Sequence, residues 1–102
     1  MKTPVSPAGI IILNNSSSLK NSELFSQGLF EFKDESSQIV SFLVNKASET
    51  MLDCCAGGGG KSLAVKSFFQ NISISASDNR TFLFKEITER AARAGIKINT
   101  CE

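Results

Sequence analysis

Apolar and polar residues follow two different rhythms along this chain, and the rhythm changes several times. Ile10 to Leu13 is an unbroken apolar run, the length of one short strand. The NNSSSLKNSE that follows is polar and turn-prone, and LFEF at 29–32 reads as a second short strand or an extended lead-in. Asp34 suits an N-cap. Beyond it Ile39, Phe42, Leu43 and Ala47 recur at helical spacing, which predicts a helix over about 35–47 with these four in the core. Met51, Leu52 and Asp53 read as a buried strand, and Lys61 and Ser62 open the helix-periodic run LAVKSFF. In NISISAS, residues 71–77, Ile72, Ile74 and Ala76 alternate with polar residues as a strand does. Leu83, Ile87, Ala91 and Ala94 share one face of a helix predicted over about 79–94, with Arg90 and Arg93 near its end and Gly95 as its C′ residue. Glu86 and Arg90 form an i, i+4 pair expected on its exposed face. Ile96 to Thr100 starts a third strand.

This order of helix, strand, helix, strand, helix, strand predicts an α/β fold: a short parallel sheet with flanking helices and right-handed crossovers. Residues 1–28 read as an approach segment and 29–102 as the packed domain. A length of 102 residues supports one small core, and 41% hydrophobic residues is ordinary for a globular chain. A net charge of +1 marks no nucleic-acid surface on this piece. With no histidine, the commonest general base near neutral pH is missing. Cys54, Cys55 and Cys101 form no C-x-x-C and have no histidine to complete a zinc site. They read as reduced thiols of a cytoplasmic protein, each buried as a small hydrophobe. No stretch approaches the ~20 apolar residues that span a bilayer, and the run from Ile10 is too short for a signal-peptide core.

The chemistry concentrates in MLDCCAGGGGKS, residues 51–62, a strand, a glycine loop and a helix start. Gly57, Gly58, Gly59 and Gly60 let the backbone turn tightly and approach a ligand, and the first amides of the helix face outward at its positive end. The phosphate-loop pattern G-x-x-x-x-G-K-[ST] needs glycine where Cys55 stands. The dinucleotide pattern G-x-G-x-x-G needs glycine at Ser62 or Leu63. What fits is an acid at the strand end, three residues, then G-x-G: Asp53, Gly57 and Gly59. That pattern suits a ligand with a cationic amino-acid part, such as S-adenosylmethionine, because a carboxylate beside a pyrophosphate would repel it. The plain alternative is a loop that only joins strand to helix, against which stands a backbone entropy cost of up to ~1 kcal/mol per glycine. Asp78, at the end of the next strand, stands where an acid accepts hydrogen bonds from ribose hydroxyls, or else caps the following helix.

DESSQ at 34–38, LDCCAGGGGKS at 52–62, SASD at 75–78 and RAGI at 93–96 resemble the RsmB/NOP2/Sun family of S-adenosylmethionine-dependent RNA (cytosine-5) methyltransferases. That family writes its cofactor loop roughly as LDLCAAPGGKT. Leu52, Asp53, Cys55, Ala56, Gly59, Gly60 and Lys61 match; Cys54, Gly57, Gly58 and Ser62 replace leucine, alanine, proline and threonine. Losing the proline implies a looser loop. GLFEFKDESSQ resembles the family's G-x-x-x-x-Q-D-x-[AS]-[AS], with Lys33 where glutamine is usual. The resemblance covers about residues 24–100. It implies a partial Rossmann-like methyltransferase fold in which Cys55, Ala56, Gly57, Gly58, Gly59, Gly60 and Lys61 hold the methionine and adenosine parts of the cofactor and Asp78 holds the ribose.

The family's catalytic cysteines lie in Thr-Cys and Pro-Cys motifs well downstream of the loop. Cys54 and Cys55 cannot inherit those roles, and Thr100-Cys101 lies in the wrong place. The chain therefore reads as the cofactor-binding half of such an enzyme, inactive alone, whose complete form acts on RNA, with ribosomal RNA the expected target. Two other readings stand beside it: a phosphate-binding nucleotide module built on GGGGKS, and a non-catalytic remnant or interaction piece. In complete enzymes of this kind the strand carrying Asp53 is internal to a seven-stranded sheet. Its outer neighbours are absent here, which predicts self-association, or pairing with a companion chain, through an open edge.

Overall fold

The computed structural model describes residues 1–3, 6, 9–14, 16–45 and 47–102. In chain order the elements are α1 (Ser16–Lys20), α2 (Glu23–Ser26), α3 (Glu35–Ser41), β1 (Thr50–Asp53), α4 (Gly60–Phe68), β2 (Ser73–Ala76), a 3-10 turn (Thr81–Leu83), α5 (Phe84–Arg93) and β3 (Asn99–Thr100). The three strands form one parallel sheet in the order β1-β2-β3. Thr50 lies opposite Ser73, Asp53 opposite Ala76, and Ala76 in turn opposite Thr100. The predicted α/β fold and its parallel sheet are present.

The core follows from the alternation in β2. Ile72, Ile74 and Ala76 point to one face, and all three are buried. Val65 of α4 packs with Ile72 and Ile74; Ile87 of α5 packs with Ala76 and Ala56; Ile98 touches both groups. Both crossover helices therefore cover the same face, as right-handed connections between successively adjacent strands require. The opposite face bears Leu52, 63% exposed, and the hydroxyl of Ser73, also in solvent.

Asp34 caps α3 as expected, accepting from the Ser37 N–H at 2.9 Å. The helix is shorter than its periodicity predicts. It ends at Ser41 and tightens into i→i−3 bonds from Phe42 N–H to Ile39 and from Leu43 N–H to Val40. Ile39 and Phe42 are half-buried, Phe42 against the ring of Phe68, whereas Leu43 and Ala47 face solvent. The predicted end of this helix includes Lys46, which lies outside the described residues. At the far end of the chain, α5 closes with a Schellman cap. Gly95 at φ +67° donates to Ala92 O, and Ile96 donates to Ala91 O. That cap consumes the Ile96 N–H, so β3 begins at Asn99 rather than at Ile96.

The amino-terminal third departs most from its pattern. Ile10–Leu13 is no sheet strand: one antiparallel bridge, Lys2 with Ile10, is all that forms there among the described residues. A two-stranded ribbon without a third strand is marginal in water. Within the polar stretch after it, Ser16–Lys20 form a helix and Ser22 caps the next. Ser22 accepts from the Phe25 N–H, and α2 is held by a triangle of Phe25, Phe30 and Phe32 with each pair of ring centroids 5.6 Å apart. Residues 29–32 are extended without a strand partner, the lead-in of the two expected forms. This segment lies against the end of α5. The Arg93 guanidinium sits 4.2 Å from the Phe25 ring centroid, and Gly28, at φ +73°, approaches so closely that a Cβ would collide with the Arg93 carbonyl oxygen.

Candidate functional site

The carboxyl ends of β1 and β2 stay joined past the last paired residues. Ser77 N–H donates to Asp53 O at 2.8 Å, and Ala56 N–H donates to Ser77 O at 3.1 Å. From there the chain turns through the glycines into α4, and Gly59 N–H closes the turn on Ala56 O at 2.8 Å. Asp78 comes to the same place from β2. Its Oδ2 accepts from the Gly57 N–H at 2.8 Å, so loop and strand end form one unit. The residues predicted to form the site therefore meet. Cys55 and Lys61 are exposed at its mouth, Gly57 and Gly58 are half-buried, and Ala56, Gly59, Gly60 and Asp78 are buried.

Two of the four loop glycines, Gly57 and Gly59, are required by positive φ, whereas Gly58 and Gly60 face the flexible ends of side chains. Gly59, at φ +78°, is the N-cap of α4, and a Cβ there would press on Ile87. A Cβ on Gly58 would strike the Glu86 carboxylate. One on Gly60 would take the space of the Lys33 ammonium. At Gly57 only Arg80 comes within 4 Å, so this glycine faces outward. The leading amides of α4, those of Gly60, Lys61 and Ser62, have no acceptor within the helix.

Asp78 is already saturated. Arg80 donates to it three times: backbone N–H and Nε to Oδ1, both at 2.9 Å, and Nη2 to Oδ2 at 3.0 Å. The Asp78 side chain is 3% exposed and that of Arg80 56%. The Arg80 side chain, then the backbone N–H groups of Arg80 and Gly57, hold the Asp78 carboxyl far below the usual carboxylate range, and Arg80 is raised in return. Asp53 Oδ2 accepts from Ser62 Oγ at 2.8 Å, which ties the strand end to the first turn of α4.

Cations surround the loop. Burial lowers the pKa of Lys33; the nearby charges of Lys61 and Arg90 lower it further, while Asp34 and Asp53 act against them. Arg90 donates through Nη1 to Gly58 O at 2.7 Å and through Nε to Glu31 at 3.3 Å, and Arg93 donates to the same Glu31 oxygen at 2.6 Å. The expected exposed Glu86–Arg90 pair is present at 3.5 Å, but Arg90 is mostly buried and its shorter bond goes to the loop. The three cysteines are free and exposed, contrary to the expected burial, because Cys54 and Cys55 sit in the turn beyond β1 and Cys101 follows the edge strand.

Sequence reasoning missed Arg80, Arg90, Glu31 and Ser62. Arg80 had a signal, a base two residues after a strand-end acid. Glu31 and Arg90 had none, because they stand 59 positions apart. A groove of about 120 Å³ between α3 and β1 reaches the loop through Asp53 and Lys61. A site for a drug-sized ligand takes roughly 300–1,000 Å³, so this groove is too small to enclose one.

The chain is 34% identical over 82 residues to a curated protein of Bacillus subtilis (strain 168) named "Probable ribosomal RNA small subunit methyltransferase B". It is related to an RsmB/Sun-like methyltransferase. The match covers 78% of this chain and 18% of that methyltransferase's length. No family model and no solved structure matches the chain. Among the described residues, no helix is long and apolar enough to cross a membrane.

Proposed function

We propose that the chain is the cofactor-binding part of an S-adenosylmethionine-dependent rRNA (cytosine-5) methyltransferase of the cytoplasm. The observation that carries this reading is the bond from Gly57 N–H to Asp78, which brings a glycine loop and a strand-end acid together. They meet at the carboxyl ends of two adjacent parallel strands, where open α/β sheets take nucleotide-like ligands. The relationship to a ribosomal RNA methyltransferase supports RNA as the substrate class. Residues 29–102 form the binding domain, and 1–28 approach it.

S-adenosylmethionine supplies an activated methyl group when bound. The chain's own residues would do the holding. Lys61, Lys33 and the leading amides of α4 offer positive potential to a carboxylate. Asp53 offers negative potential to an ammonium group. The outward face of Gly57 lets a ligand lie against the backbone, and Asp78 accepts from a diol once Arg80 gives way. Cys54 and Cys55 lie in the cofactor loop and Cys101 follows the edge strand, so the chain by itself is expected to transfer no methyl group.

Calorimetric titration tests the reading, with ATP–magnesium as the comparison. Binding of S-adenosylmethionine alone supports it, and Asp78→Asn then weakens that binding at least tenfold. Binding of ATP–magnesium alone would replace it with a phosphate-binding module. Binding of neither would reduce the chain to a scaffold without a ligand.

A further inference from the structure

The last turn of α5 carries two arginines of similar burial, and both reach the same carboxylate. The side chains of Arg90 and Arg93 are 16% and 23% exposed, and both donate to Glu31 Oε2. They differ in what else they touch. Arg93 lies over the Phe25 ring. Arg90 sends Nη1 to Gly58 O at 2.7 Å, and its guanidinium lies so close that a Cβ on Gly58 would come within 3.1 Å of that nitrogen. The same peptide unit is held at its other end, because Gly59 N–H donates to Ala56 O at 2.8 Å. The Gly58–Gly59 peptide therefore has a fixed plane. The preceding one does not: among the described residues neither Gly57 O nor Gly58 N–H makes a hydrogen bond. Glycines impose little torsional limit of their own, so bonds from outside decide where the loop sits. Two such bonds reach its middle, Asp78 at Gly57 N–H and Arg90 at Gly58 O.

We propose that Arg90 is the positioning residue of the glycine loop and that Glu31 aims it. With S-adenosylmethionine as the ligand, a point that rests on the function proposed above, both residues act through the loop rather than on the ligand. They raise its affinity by holding the loop in its binding shape before the ligand arrives. Gly59 is the N-cap of α4, so the plane of the Gly58–Gly59 peptide fixes the outward face of Gly57 relative to the leading amides of the helix. The role needs a fork. Arg90 directs Nη1 to Gly58 O and Nε to Glu31 at 3.3 Å, two directions that a lysine ammonium on one flexible stem does not reproduce. It also needs Glu31. Without that carboxylate the remaining acid beside Arg90 is Glu86, 3.5 Å from Nη1 and half exposed, which draws the guanidinium off the loop.

Arg93 supplies the control, because it shares Glu31 but not Gly58. Arg90→Met, Arg90→Lys and Arg93→Met are compared with the wild type by thermal melts, amide hydrogen exchange and calorimetric titration with S-adenosylmethionine. Arg90→Met and Arg93→Met each remove one partner of Glu31 and keep an apolar stem in place, so both are expected to lower Tm. Arg90→Met alone is expected to speed exchange of the Gly59 amide and to raise the dissociation constant, each about tenfold, the size of one charge-assisted hydrogen bond. Arg90→Lys should lie closer to Arg90→Met than to the wild type, and Arg93→Met should leave both readouts unchanged. Equal effects of Arg90→Met and Arg93→Met on Gly59 exchange overturn the proposal and reduce both arginines to staples of the lead-in segment. An Arg90→Met chain that binds as tightly as the wild type overturns it too. If the wild-type chain binds no S-adenosylmethionine, the cofactor reading falls, and Gly59 exchange decides the positioning role: faster in Arg90→Met supports it, unchanged disproves it. If Arg90→Met fails to fold, Glu31→Gln takes its place under the same two outcomes.

Discussion

Gly28 and Gly59 both hold positive φ, yet their replacement by alanine should not cost the same. The left-handed backbone alone costs roughly 1–2 kcal/mol for a residue with a Cβ. At Gly59 the new methyl group lies 3.1 Å from Cγ1 and 3.2 Å from Cγ2 of the buried Ile87, which must give by a few tenths of an ångström, so Gly59→Ala should fall at the upper end of that range, about 2 kcal/mol. At Gly28 it meets the carbonyl of Arg93, which is fixed in a helix end, so Gly28→Ala should lose clearly more than ~2 kcal/mol. Urea denaturation of the two variants checks the order. The acids make a second residue-scale prediction. Asp34 and Asp78 are both held below their ordinary range, by Ser36 and Ser37 in one case and chiefly by Arg80 in the other. A depressed carboxyl contributes stability that is complete above its unfolded value of about 4 and is lost as pH falls toward the folded value. Thermal melts should therefore show a full and pH-independent contribution from these two groups between about pH 5 and 8, and a steady fall in Tm below about pH 4.

At the scale of elements, the lead-in at 28–33 and helix α5 act together. Glu31 accepts from Arg90 and Arg93, and Arg90 passes the connection to the glycine loop through Gly58 O. Glu31→Gln should destabilise the chain by about 1–2 kcal/mol, less than the 3–5 kcal/mol of breaking a fully buried pair, because Glu31 remains 28% exposed. Hydrogen exchange should show the loss spreading to the amides of α2 and of the loop. Periodicity made the central elements legible: β1, α4, β2 and α5 lie within a few residues of their predicted spans, and the meeting of loop and Asp78 follows from their order. The amino-terminal helices were not legible, because α1 and α2 owe their places to Ser22, the phenylalanine triangle and Arg93 rather than to an apolar stripe. For the same reason the occupation of Asp78 by Arg80 could be read only from coordinates, since it depends on how the chain folds back after β2.

For the whole molecule, the covering of a single sheet face sets where stability resides. Ile74 and Ile87 are almost wholly buried between sheet and helices, so truncating either to alanine should cost ~2–5 kcal/mol. That is a large part of the ~5–15 kcal/mol that holds a domain together. Leu52→Ala, on the uncovered face, should cost less than ~0.5 kcal/mol in dilute solution. Thermal scans at low protein concentration test this asymmetry.

The clasp of Arg80 on Asp78 has a thermodynamic consequence. A diol that reaches this carboxylate exchanges hydrogen bonds with the guanidinium instead of adding new ones, so little heat should be released at that point of contact. The gain comes from elsewhere, because the freed arginine side chain recovers its rotational freedom in solvent. Binding at this corner should therefore be driven by entropy, and replacing Arg80 with a short neutral residue should make it more exothermic.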